Sequence, residues 1–93
     1  MKDRTPVIVR ANESGVWYGR LTARADDWSW VELADAQRLW AWQTKSGVSC
    51  SALATAGINR AKSIIAPTVA WAVICGPCEV LAVSSEAVQS YVG

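Results

Sequence analysis

The chain predicts an α+β domain: a small, mainly antiparallel β-sheet or partial barrel with a short middle helix and a C-terminal helix. Two observations predict it. Residues 6–43 and 63–83 consist of short alternating or β-branched runs broken by Asn, Asp, Gly and Pro, which is how strands and tight turns read. Residues 46–57 and 84–92 change period and open on serine, which marks two helices. At 93 residues the chain is expected to be one domain over residues 1–93. That is close to the size at which a single core is only just adequate, so self-association is a natural way to bury more surface.

The elements follow in order. Residues 6–11 are a β-branched run, 12–15 a turn, and 16–23 a second strand, so the first two strands form a hairpin. The second strand sets Val16, Tyr18 and Arg20 on one face against Trp17, Gly19 and Leu21 on the other. Gly19 has no side chain to pack and marks a bulge or a close approach. After the Ala25-Asp26-Asp27 turn, residues 28–33 alternate Trp28, Trp30 and Glu32 against Ser29, Val31 and Leu33, and 38–43 alternate Arg38, Trp40 and Trp42 against Leu39 and Ala41. Ser46-Gly47-Val48-Ser49 starts a helix over 50–56, and Gly57 stands where a C-terminus wants a positive φ. Residues 63–66, 70–75 and 78–83 read as strands, and Ser84 starts the last helix, with Val88, Tyr91 and Val92 facing in.

Charge narrows the function classes. Residues 1–45 hold seven of the nine Lys and Arg and six of the eight acids, whereas residues 63–78 hold no charged residue. The uncharged stretch belongs in the core or in a subunit contact. It is too short for a membrane span and is broken by Pro67, Gly76 and Pro77. No membrane association is expected, and the absence of a secretory-type apolar segment points to the cytoplasm. A net charge of +1 argues against binding to long nucleic acid through a long-range field. Phosphate binding must then be local.

Enzyme signals are weak. There is no His and no nucleophile elbow or phosphate loop, so no enzymatic activity and no cofactor is expected. Asp26 and Asp27 fit a solvated turn. Cys75-Gly76-Pro77-Cys78 matches the letters of a thioredoxin-type redox site, but such a site needs a long helix after it and residues 78–83 read as a strand, so Gly76-Pro77 is expected to be a hairpin turn with the two thiols facing across it. Cys50 is the only other thiol, so a zinc site would need a second subunit, and no metal is expected.

Two phrases carry the binding chemistry: 15–21, Gly-Val-Trp-Tyr-Gly-Arg-Leu, and 38–42, Arg-Leu-Trp-Ala-Trp. Each sets tryptophan beside arginine on what reads as an exposed-edge strand, where rings stack on flat ligands and guanidinium groups pair with phosphate. The candidate contacts are Trp17, Trp40 and Trp42 for stacking, Arg10, Arg20, Arg24 and Arg38 for phosphate or base edges, and Ser49 and Ser51 at the helix start for phosphate oxygens. Each has a structural alternative. The tryptophans also suit a core, and the arginines suit solvated positions or salt bridges to Glu13, Glu32 or Asp35.

Val9-Arg10, Gly15-Val16-x-x-Gly19-x-Leu21, Arg24, Val31-x-Leu33, Ala36-x-Arg38-Leu39-Trp40-x-Trp42, Ser49-x-Ser51-x-Leu53-Ala54-x-x-Gly57 and Glu79 together resemble a widespread family of short phage and prophage proteins. The resemblance runs from Val7 to Ala87, and Arg-Leu-Trp-x-Trp is its most specific part. Gln37 departs from it, standing where the family usually has a second Arg, and Cys75-Gly76-Pro77-Cys78 is not a family feature. The family is similar to the phage anti-CBASS sponges, which sequester the cyclic-oligonucleotide signals of bacterial immunity as oligomers, without cleavage. The resemblance implies a cyclic di- or trinucleotide ligand, a homo-oligomer and a place in the host cytoplasm. The alternative is a phage-encoded inhibitor that docks a Trp/Arg surface on a host defence protein, since the same residues dominate protein interface hot spots.

Overall fold

The computed structural model describes residues 5–12, 14–45 and 49–92, the side chain of Val92 apart. Six strands and two α-helices follow one another as β1 (Thr5–Ala11), β2 (Gly15–Arg24), β3 (Trp30–Ala41), α1 (Cys50–Thr55), β4 (Ile64–Ile65), β5 (Val69–Cys75), β6 (Pro77–Ala82) and α2 (Ser85–Val92), with one 3-10 turn at Arg60–Lys62. The strands form a single antiparallel sheet in the order β4-β3-β2-β1-β6, with β5 also paired to β3. The expected α+β sheet with a middle and a C-terminal helix is what the chain forms.

β1 and β2 make the expected hairpin, from Thr5 opposite Leu21 to Ala11 opposite Gly15. The register with β3 shifts between Tyr18 and Arg20, at Gly19. A Cβ there would stand 2.9 Å from Leu33 Cβ, so glycine is what lets β2 and β3 close up at this bulge.

Where two strands were expected over 28–43, the chain runs as the single 12-residue strand β3. Asp35, at φ 51°, takes the bend that a turn would otherwise provide. The strand's first half pairs with β5, from Trp30 opposite Cys75 to Ala36 opposite Val69, and its second half with β4. β2 and β3 are therefore interior strands, and neither Trp/Arg phrase lies on a sheet edge.

A hairpin at Gly76-Pro77 does not form. β1 and β3 both run antiparallel to β2, so β5 and β6, which oppose β3 and β1 in turn, run in the same sense. They are one long strand kinked at Gly76, whose φ is +66°, and the kink carries the chain from the β3 flank to the β1 flank. That transfer curls the sheet into a partial barrel. Cys75 and Cys78 are exposed free thiols on either side of the kink.

Curling gives β1 two buried faces. Val7, Val9 and Ala11 join Leu21, Val31, Leu33, Ala36 and Ile74 inside the curl. Ile8 points the other way and packs with Tyr18, Leu39, Leu53, Ile58, Val83, Ala87 and Tyr91 under the two helices. The Tyr18 and Tyr91 rings stack there at 4.1 Å, and the Tyr91 hydroxyl donates to the Leu53 carbonyl at 2.8 Å. Ser84 Oγ accepts from Ala87 N at 3.1 Å to start α2. The uncharged stretch 63–78 is core only in part: Ile74 is buried inside the curl, whereas Ile64, Val69, Trp71 and Val73 are exposed.

Candidate ligand-binding site

The candidate residues do not converge on one place; they separate by strand. Arg10 on β1 reaches β6, where its Nε lies 2.8 Å from Glu79 Oε1. No local pattern points to that partner, which lies sixty-nine residues further along the chain. The pairing holds the guanidinium above its ordinary pKa, through the hydrogen bond first and the charge second. Arg20 approaches Asp35, the expected structural alternative, at 4.0 Å. Arg24, at the far end of β2, donates to the carbonyls of Ala25 and Asp26 and lies 4.0 Å over the Trp28 ring. It braces the 25–30 loop, in which Asp27 Oδ1 accepts from Ser29 N; hydrogen bonding from the Ser29 side chain first and its backbone second holds the Asp27 carboxyl below the usual carboxylate pKa.

The two serines are placed by a six-residue helix. Ser49 Oγ is used as its N-cap, accepting from Ala52 N at 3.3 Å, while Ser51 is exposed and its carbonyl accepts from Thr55 Oγ1. Ser46, Gly47 and Val48, expected to start the helix, lie outside the described residues, as does Glu13. Trp42 also leaves the candidate set. The ladder shifts between Leu39 and Ala41, where β3 ends, and Trp42 turns in to pack on the helix-side core with Leu39.

Arg38, Trp17 and Trp40 remain together. Arg38 stands opposite Trp17 across the β2–β3 ladder, its guanidinium 4.6 Å from the ring centre. Trp17 is half-buried against the inner core, and its Nε1 donates to the Ser14 carbonyl at 3.1 Å. The ring is thereby fixed as a shelf for Arg38; with a guanidinium on its face, it is a weaker platform for a base than expected. Trp40 is 70% exposed. Arg38 and Trp40 line the same cavity, about 300 Å³, together with Asn12 and Ser14.

Within that cavity Arg38 has no ion pair among the described residues. Glu32 accepts from Thr22 instead, and Asp35 faces Arg20. Arg38 Nε and Ser14 Oγ are both buried without a hydrogen-bond partner among the described residues. Both residues line the cavity, and two polar groups left unsatisfied at its wall, one of them on a cation, favour an anion or an acceptor-rich group there. Ser14 and Asn12 were missed because their contribution depends on how the β1–β2 turn folds back toward β3, which no local pattern encodes.

Fold and site together define a small partial-barrel protein with an arginine–tryptophan cleft at the β1–β2 turn. A family profile described as a domain of unknown function, DUF6948, matches residues 4–91, and the chain belongs to this family. No curated protein and no solved structure matches it. No helix among the described residues is long and apolar enough to cross a membrane.

Proposed function

We propose that this is a phage immune-evasion protein that binds and holds a cyclic di- or trinucleotide immune signal in the host cytoplasm without cleaving it. One observation carries the reading: Arg38, laid over Trp17 with its Nε unpartnered, shares a cavity with the exposed ring of Trp40. A phosphate takes the guanidinium, a base takes the Trp40 face, and Ser14 Oγ supplies a further hydrogen bond. A cavity of about 300 Å³ is at the small end of ligand sites. It suits one ring and one phosphate, a fragment of a cyclic oligonucleotide. Sequestration needs affinity alone, and among the described residues that line the cleft none is a carboxylate.

Thermal unfolding with a panel of cyclic di- and trinucleotides tests the reading. A ligand that binds only the folded chain raises the melting temperature with its concentration. The shift should appear in the wild type and vanish in Arg38→Ala and Trp40→Ala; no shift across the panel overturns the reading.

A further inference from the structure

The flank of the sheet beyond β3 is formed by residues 64–75, where β4 and β5 lie end to end along one side of β3. Ala66 N donates to the Arg38 carbonyl at 2.9 Å and ties down the gap between them. Among the described residues β5 pairs with β3 alone, so its other side presents alternate backbone N–H and C=O groups with no strand beside them. Its outward row, Val69, Trp71 and Val73, is 44%, 65% and 47% exposed.

Free edges of this kind are normally blunted by a charge, a proline or a bulge. β5 has seven residues, Val-Ala-Trp-Ala-Val-Ile-Cys, and none of these devices; Pro67 falls outside it. The other flank is different. β6 begins at Pro77 and carries Glu79, which Arg10 holds.

We propose that β5 pairs antiparallel with β5 of a second copy about a twofold axis, joining two sheets into one. A free edge accepts an extended strand, and the row beside Trp71 accepts an uncharged one. β5 itself meets both conditions. A twofold register centred on Trp71 or on Ala72 keeps outward residues opposite outward residues, sets Trp71 against Trp71 or Val73 of the other copy, and brings no two charges together. Pairing β5 with β6 of another copy would instead meet the missing N–H of Pro77 and the Glu79 carboxylate, and as a head-to-tail contact would build a ring or an open series and not a dimer. The twofold arrangement closes at two.

Sedimentation of the full chain over a micromolar concentration series tests this, with Trp71→Lys, Val73→Lys and Ala82→Lys beside the wild type. Val73 stands opposite Glu32 on β3 and Trp71 is exposed, so the lysines are compatible with the monomer fold; Ala82, exposed on β6, is the control. The wild type and Ala82→Lys should sediment at twice the 10.0 kDa of the chain, and Trp71→Lys and Val73→Lys at once that mass with unchanged circular dichroism. A wild-type monomer throughout, an open series of larger species, or a dimer that survives both β5 lysines overturns the proposal. Should a lysine variant unfold, amide exchange of the wild type decides: β5 protection that rises with concentration supports the pairing, and protection independent of concentration contradicts it.

Discussion

At the scale of single residues, arginines of similar sequence context end in different roles because long-range pairing decides which carboxylate each one meets. Arg10 finds Glu79 and Arg20 approaches Asp35, while Arg38 is left with a ring and, among the described residues, no anion. Arg38→Ala is therefore expected to lower stability by no more than about 1 kcal/mol, the scale of one cation–π contact. It should weaken binding of the best-stabilising nucleotide by about 1.5–3 kcal/mol, the range for a hydrogen bond to a charged group. Calorimetric titration beside a thermal melt checks both numbers. Wild-type affinity with a clearly lower melting temperature would make Arg38 structural. A second contrast lies in the stacked tyrosines. The Tyr91 hydroxyl is bonded to Leu53, whereas Tyr18 OH is buried without a partner. Tyr91→Phe should cost about 1 kcal/mol in denaturant titration, and Tyr18→Phe should be neutral or stabilising.

At the scale of elements, local signals were read well where they are self-contained. The β1–β2 hairpin, the Ser49 cap and the positive φ of Gly57 are properties of a few adjacent residues, and each was legible. Gly57 has φ +98°, and a Cβ there would lie 2.6 Å from Ser90 Oγ. That hydroxyl cannot yield easily, since it accepts from Ile58 N and donates to the Ala87 carbonyl. Gly57→Ala should cost about 2 kcal/mol or more, seen as a melting temperature lower by roughly ten degrees. What was not legible depends on pairing partners. Gly76-Pro77 has the composition of a hairpin turn, yet β5 and β6 pair with different strands, so the same two residues make a kink. Alternation likewise placed Trp42 beside Trp40, until the shift between Leu39 and Ala41 moved it to the core. The thiols beside the kink have no part in the proposed cleft. The double variant Cys75→Ser with Cys78→Ser, and wild type under strong reductant, should bind nucleotide as the untreated protein does; loss of binding with intact circular dichroism would contradict this.

At the scale of the whole molecule, the curled sheet buries one core inside the curl and a second beneath the helices, and the tyrosine stack belongs to the second. Burial pushes both phenols above the ordinary value of 10.0. Because their folded pKa values are raised, the stability they contribute is fully present below pH 10 and is lost as pH rises beyond it. Alkaline titration followed at the tyrosinate absorbance should show both ionising together with unfolding; two independent transitions in a folded protein would count against the buried stack. The α+β class and the two helices were legible because period and capping residues are local. The site was legible only in part. Arg38 and Trp40 stand out in the sequence, but that Arg38 meets no carboxylate among the described residues, where Arg10 and Arg20 do, is settled by the strand order. The central claim is that this unpaired arginine and the ring beside it hold a cyclic nucleotide. Isothermal titration of the wild type with the most stabilising member of the cyclic di- and trinucleotide panel, followed by recovery of the ligand, tests it most directly. Saturable binding, with the ligand returned chemically intact and with affinity lost in Arg38→Ala, is the predicted result. No heat of binding for any member of the panel, or a ligand recovered as cleaved product, would contradict it.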